Sequence, residues 1–102
     1  ILNKNVNLII GNIFKTLKPY LNNLKKKILF VHIDTDTYET TKFILENIKP
    51  HLISGSIIVF DELHNFMGWE VGESKALFEI FKKDEIEFLS FTSGQQATIK
   101  IK

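Results

Sequence analysis

Two pairs of acidic residues in this sequence each follow an apolar segment. Asp34 and Asp36 come directly after one such segment. Asp61 and Glu62 come directly after another, one predicted helix further along the chain. In an open α/β sheet, ligands bind outside the carboxyl ends of the strands, so acids at two neighbouring ends can meet there. Carboxylates crowded in this way repel one another unless their pKa rises or a cation neutralises them.

A carboxylate site without His or Cys favours a hard cation, Mg²⁺ or Ca²⁺. On this reasoning Asp34 and Asp61 are candidate metal ligands supplied by adjacent strands. Asp36 lies two residues beyond Asp34, and in an extended segment it points to the same side and can act as a base. Asp36 followed three residues later by Glu39 also fits a helix capping box, and both interpretations remain open.

Two histidines lie beside these acids. His32 interrupts an apolar run, which is typical of a hydrogen-bonded core histidine rather than a ligand. His64 follows the second acidic pair in a loop and is a candidate contact for a substrate or a metal ion.

The elements that position these acids alternate between strands and helices. Apolar runs predict strands at 6–10, 28–33, 56–60 and 86–91, and an alternating pattern predicts a half-exposed, antiparallel strand at 97–102. Helical spacing predicts helices from residue 13 to 24, from 39 to 49 and from 74 to 83, the first interrupted or restarted at Pro19. This order predicts an α/β fold with a mostly parallel sheet, helices on both faces and an antiparallel closing pair.

Composition excludes several classes of function. All 13 basic residues are lysine and the net charge is +1, so nucleic acid and membrane surfaces are not expected partners. The absence of cysteine excludes a disulfide scaffold, a thiolate metal site and a thiol nucleophile. No apolar run approaches the length of a membrane span and no signal peptide is visible, which predicts a cytoplasmic protein.

The segment ILFVHIDTDTYETTKFILENIKPHLISGSIIVFDE resembles the motif IV to motif V region of class I S-adenosylmethionine-dependent methyltransferases. It is most similar to the macrocin and sugar O-methyltransferase group, from about residue 8 to the chain end and best over 28–62. The resemblance implies a Rossmann-like fold that lacks its first strands. Residues 1–102 would then form the C-terminal portion of a single catalytic domain, since the chain begins at Ile1 without an initiator methionine and the glycine-rich cofactor loop would lie upstream.

The resemblance also implies roles for the acids. Asp34, Asp61 and Glu62 match the family's Mg²⁺ ligands, although Glu62 stands where metal-dependent members more usually have Asp or Asn. Asp36 matches the general base that acts on the acceptor hydroxyl. Tyr38 completes the Asp-x-Asp-x-Tyr motif and is, with His64, a candidate substrate contact.

The cofactor implied is S-adenosylmethionine. The turn at Gly11 and Asn12 matches the one that lies against the cofactor adenine, and Asp34 is a third candidate cofactor contact. The expected partner is a small-molecule methyl acceptor, and a homo-oligomer is possible.

Two other interpretations remain open. Metal-dependent glycosyltransferases also use an acid-x-acid motif at a strand end, but the chain has no arginine for the phosphates of a nucleotide diphosphate. The chain could also be a non-catalytic α/β piece, whose exposed sheet edge would favour association.

Overall fold

The computed structural model describes residues 4–63, 69–92 and 94–102. Its helices are α1 (Ile13–Asn22), α2 (Tyr38–Ile48) and α3 (Glu73–Ile80), and its strands are β1 (Ile28–Ile33), β2 (Leu52–Phe60), β3 (Ile86–Phe91) and β4 (Ala97–Ile101). Single 3-10 turns occupy Lys49–His51, Trp69–Val71 and Lys83–Glu85. The alternation of strands and helices confirms the predicted α/β class. Within the described ranges, no helix has the length and apolar character needed to cross a membrane.

The four strands form one mixed sheet in the order β1-β2-β4-β3. β1 and β2 are parallel, whereas β4 is antiparallel to both β2 and β3. The sheet described here is therefore less parallel than predicted, because the last strand in sequence inserts between β2 and β3. The predicted antiparallel closing strand is confirmed, but it lies inside the sheet and β3 forms the edge.

The core lies between the three helices and one face of the sheet. Buried side chains on this face alternate along the strands, as the two-residue period requires. They pack against buried residues of α1, α2 and α3; this core comprises Leu21, Ile33, Ile44, Leu45, Ile48, Ile58, Phe60, Leu63, Ala76, Leu77, Phe81, Ile86, Ala97 and Ile99. The opposite face is more open, and Phe30 is 62% exposed there. In the described residues, the three helices cover the core face of the sheet, and the helices predicted for the other face are not present there.

The predicted strand at 6–10 is not a strand in the structure. Its residues are exposed, Ile10 to 84%, and they pair with no described strand. An apolar run becomes a β-strand only when a neighbouring strand takes up its backbone hydrogen bonds. The chain instead enters α1 directly, with the Asn12 side chain accepting a hydrogen bond of 2.9 Å from the Phe14 backbone N–H.

Two local expectations also change. Pro19 lies inside α1 without ending it, because Leu17 and Leu21 keep the helix packed on the core despite the missing hydrogen-bond donor. β2 begins at Leu52, four residues earlier than predicted, and Gly55 forms an irregularity within the strand at φ +95°. There the buried Ser56 hydroxyl donates to the Ile28 carbonyl at 2.6 Å and accepts from the Ile53 N–H at 2.9 Å.

Candidate active site

The two acidic strand ends lie side by side, as predicted. Ile33 pairs with Phe60 as the last matched residues of β1 and β2. The backbone N–H of Asp61 then donates to the Ile33 carbonyl at 3.0 Å, which extends the ladder one residue further. Asp34 and Asp61 are therefore brought together by the parallel pairing itself.

The electrostatics show that Asp34, Asp36, Asp61 and Glu62 act on one another; we call these four residues the acidic cluster. The negative charge of Asp61 raises the pKa of Asp34, with smaller contributions from partial desolvation and from Asp36. Desolvation raises the pKa of Glu62, and the neighbouring charge of Asp36 adds to it. The shifts have the direction expected of like charges that lie close together.

Asp36 does not cap the helix that follows it. The N-cap of α2 is Thr37, whose hydroxyl accepts a hydrogen bond of 3.3 Å from the Thr40 backbone N–H. Asp36 itself has φ +64°, a left-handed conformation that is uncommon outside glycine. Of the two roles that the sequence left open, capping is therefore taken by the next residue, and the Asp36 carboxylate stays with the acidic cluster beside Glu62.

Asp61 is held from its other side. The Gln96 side-chain amide donates to Asp61 Oδ1 at 3.3 Å, and His32 Nε2 lies 3.5 Å from the same oxygen. The His32 side chain is 47% exposed, so it is a surface residue beside the acidic cluster rather than the core histidine that the apolar run predicted. Gln96 precedes β4, which explains how the inserted strand contributes to this end of the sheet.

Glu73 was missed by the sequence reasoning. It is the first residue of α3 and only 1% exposed, and burial raises its pKa to about 7. Its Oε1 accepts the Glu62 backbone N–H at 3.2 Å, and its Oε2 lies 3.5 Å from the donating Thr41 hydroxyl. A signal was present in the sequence: Glu73 lies on the same helical stripe as Ala76 and Leu77, where an apolar residue is expected.

Of the two predicted substrate contacts, Tyr38 and His64, the structure describes only Tyr38. The Tyr38 hydroxyl donates to Glu79, and the ammonium groups of Lys75 and Lys42 lie 4.6 Å and 5.8 Å from its ring centre. This places the phenol against α3. His64 lies outside the described residues.

The predicted cofactor residues flank an open cleft. A cavity of about 580 Å³ lies between α1 and the free edge of β1, is lined mainly by apolar side chains, and reaches Asp34 and Thr35. Gly11 lines a smaller neighbouring cavity of about 330 Å³, which shares Ile13 with the first. The Asn12 side chain is engaged in capping α1, so only its backbone remains for a ligand.

The four acids converge, but their arrangement does not form a metal site. In the part of the chain that the structure describes, no group of three His, Cys, Asp or Glu side chains has the arrangement needed to hold a metal ion. The oxygen-only donor set suits Mg²⁺ chemically. The structure therefore does not support a formed metal site, and the metal roles of Asp34, Asp61 and Glu62 stay predictions.

Comparison with known proteins identifies the class. The family model described as methyltransferase domain matches residues 1–63, and the chain belongs to this family. This supports S-adenosylmethionine as the methyl donor and favours methyl transfer over the glycosyltransferase alternative. No curated protein sequence matches the chain.

Two similar solved structures both come from CalS11. One is the apo structure of CalS11, described as TDP-rhamnose 3'-O-methyltransferase, an enzyme in calicheamicin biosynthesis; it is 33% identical with a TM-score of 0.76. The match covers 90% of this chain and 39% of that one. The other, described as calicheamicin methyltransferase, is 34% identical with a TM-score of 0.74, covering 88% of this chain and 35% of that one. The Rossmann-like methyltransferase fold and the likeness to sugar O-methyltransferases are thus confirmed, over little more than a third of the relatives' length.

Proposed function

We propose that the protein transfers the methyl group of S-adenosylmethionine to a hydroxyl group of a small molecule, with Asp36 as the general base. One observation carries this proposal: Asp36 is released from helix capping and kept in the acidic cluster, at the end of a strand in a methyltransferase domain. We further propose that this chain is the C-terminal portion of a single catalytic domain. CalS11 acts on TDP-rhamnose according to its description, so a sugar hydroxyl is the first acceptor to test.

The reaction is an in-line displacement in which the acceptor oxygen bonds to the methyl carbon as the carbon–sulfur bond breaks. The bound donor supplies an electrophilic methyl group on a sulfonium. Asp36 accepts the proton of the acceptor hydroxyl, and its fixed backbone places the carboxylate for this transfer. The acidic cluster gives this edge of the sheet a negative potential, which favours the approach of a sulfonium cation.

The position of Asp34 directly after β1 supports its cofactor assignment. We propose that Asp34 binds polar groups of the cofactor. Gly11 and the backbone of Asn12 would approach the cofactor from the start of α1. At Gly11, φ is +144° and an added Cβ would lie 2.9 Å from the Thr16 methyl group, so a larger residue cannot replace it without strain.

A small-molecule acceptor follows from the likeness to a sugar methyltransferase, and Tyr38 and His64 remain proposed contacts to it. A homo-oligomer likewise stays a proposal. Cytoplasmic location also stays a prediction.

The first experiment is Asp36→Asn in the full-length protein, assayed for methyl transfer from S-adenosylmethionine to nucleotide-linked and free sugars. Asn tolerates the left-handed backbone and has the same shape, so the fold should be kept while the base is lost. We expect kcat to fall about 10²- to 10⁴-fold with little change in cofactor affinity. Asp84→Asn, an exposed acid in the turn before β3, is the matched control. Unchanged turnover in Asp36→Asn would remove Asp36 from the mechanism.

The magnesium prediction has its own test. If Asp34, Asp61 and Glu62 hold Mg²⁺, EDTA abolishes turnover, added Mg²⁺ restores it, and calorimetry detects Mg²⁺ binding that Asp61→Asn loses. Turnover that is indifferent to EDTA, with no heat of Mg²⁺ binding, contradicts the prediction. Asp61 and Glu62 would then have no metal-binding role, and would act only as hydrogen-bond acceptors for substrate or protein groups.

A further inference from the structure

The buried carboxylate of Glu73 connects the two halves of the acidic cluster from beneath. On one side it accepts the backbone N–H of Glu62, the residue that follows Asp61. On the other side it accepts the hydroxyl of Thr41, which lies 2.9 Å from the hydroxyl of Thr35. Thr35 stands between Asp34 and Asp36 in sequence, and its backbone also interacts favourably with the Glu73 carboxylate.

This arrangement joins three separate elements at one side chain. Glu73 begins α3, Thr41 belongs to the first turns of α2, and Glu62 follows β2. Thr41 is fully buried, so its hydroxyl, which links Glu73 to Thr35, cannot bond to water instead. The Glu62 N–H and the Thr41 hydroxyl both meet the Glu73 carboxylate. These contacts therefore set the distance between the loop that carries Asp36 and the end of β2.

The identity of the residue is informative because an apolar side chain would suit the site for packing alone. Glu73 shares its helical stripe with Ala76 and Leu77, both fully buried. Burying a carboxylate is unfavourable unless hydrogen bonds compensate for the lost hydration. A carboxylate here gives fixed acceptors for Glu62 and Thr41, which an apolar side chain cannot supply.

We propose that Glu73 is a positioning residue, which sets the geometry of Asp36 relative to Asp61 and Glu62 without contacting the substrate. This inference rests on the proposed function for its catalytic consequence. It goes beyond that function in assigning a role to a residue outside the acidic cluster.

The test compares Glu73→Met, Glu73→Gln and wild type in the full-length protein. Met has a similar length and fits the apolar stripe but accepts no strong hydrogen bond, so the spacing should relax while the fold remains. We expect kcat to fall about 10- to 100-fold with KM for S-adenosylmethionine within about threefold, since small misplacements of reacting groups carry penalties of this size. Gln keeps an acceptor for the Glu62 N–H and an amide for Thr41, so we expect it to restore most of kcat. Glu46→Gln, an exposed acid on α2, is the control.

The outcomes separate positioning from general stabilisation. A folded Glu73→Met variant that turns over within about twofold of wild type overturns the inference, as does a loss that Gln fails to restore. If Glu73→Met does not fold, Thr41→Val takes its place. A lower kcat with unchanged KM then supports the inference, and wild-type turnover overturns it.

A second measurement keeps this inference separate from the proposed function. Amide hydrogen exchange in Glu73→Met should accelerate at Thr35, Asp36 and Glu62, which follow β1 and β2, and remain unchanged within the two strands. If the wild type transfers no methyl group to any acceptor, the proposed function fails and exchange alone decides. Selective acceleration then supports the positioning role, and an unchanged or uniformly faster pattern overturns it.

Discussion

Asp36 combines a strained backbone with a proposed role as the general base. A left-handed backbone at a residue other than glycine is unfavourable by about 1 kcal/mol or more, although Asp tolerates it better than most. That conformation lets Thr37 cap α2 and leaves the Asp36 carboxylate in the acidic cluster. The backbone strain is therefore linked to the position of the proposed base.

Glu73 makes the stability of the protein depend on pH. Its pKa is near 4.5 in the unfolded chain and about 7 in the folded one, so the folded state binds more protons between these values. The contribution of Glu73 to stability should therefore be greatest below the lower value and fall as pH rises through the upper one, by about 3 kcal/mol.

Urea unfolding between about pH 5 and about pH 8, in metal-free buffer, measures this dependence. The pKa values of Asp34 and Glu62 are also raised, so these groups add to the same pH dependence. The part due to Glu73 is the difference between wild type and Glu73→Gln in the slope of the unfolding free energy against pH. Equal slopes in the two proteins would show that Glu73 does not titrate in this range.

At the residue scale, the sequence predicted groups whose position follows from strand pairing and missed groups whose position depends on tertiary packing. Asp34 and Asp61 were predictable because each follows a strand that pairs in parallel with the other. Glu73 was missed, because its place on the apolar stripe of α3 only hints at burial, and the packing of α3 against α2 is needed to show it. His32 was misplaced because an apolar run does not reveal which face of an edge strand lies open.

At the element scale, β1 and β2 depend on a side chain within their irregular region. Ser56 is fully buried and bridges the Ile28 carbonyl and the Ile53 N–H where the register shifts. Ser56→Ala should lower the free energy of unfolding by about 2 kcal/mol, since it leaves both backbone groups without that partner. Ser90→Ala, on the exposed part of β3, should change it by less than about 0.5 kcal/mol. Equal effects in chemical unfolding would contradict the bridging role.

The bounds of all three helices and of β1, β3 and β4 were predicted within a few residues, whereas the start of β2, the run at 6–10 and the order of the strands were not. The helical spacing of apolar residues reports a local property, so α2 and α3 were predicted within a few residues of their observed bounds. A strand is defined by its neighbour, which local sequence does not specify. For this reason the run at 6–10 was wrongly predicted as a strand, and the extension of β2 to Leu52 was missed.

At the scale of the whole molecule, β4 joins the sheet into one unit. Ile99 is fully buried and pairs with Ile58 of β2 and Phe88 of β3. Ile99→Ala should lower the free energy of unfolding by about 3 kcal/mol. Ile53→Ala, which truncates a side chain that is 39% exposed on β2, should lower it by less than about 1 kcal/mol. Comparable losses in urea unfolding would show that β4 is not the centre of the core.

The overall class was predictable, whereas the order of strands was not. Alternating strand and helix patterns identified an α/β fold, and the alternating residues Ala97 and Ile99 identified an antiparallel strand. The sequence does not state whether that strand adds outside β3 or inserts inside it. Insertion satisfies the backbone of β2 and β3 together, which explains why β4 has the core position.

The insertion of β4 has a consequence for the order of events during synthesis. β3 leaves the ribosome before β4. Because β3 pairs only with β4 among the described strands, it cannot join the sheet until β4 has paired with β2. Gln96, which holds Asp61, is also translated after every acid of the cluster. A nascent chain can therefore already contain Asp36 and the ends of β1 and β2 while it still lacks the Gln96 side chain that supports Asp61. Its four-stranded sheet is complete only once residues 97–101 have emerged.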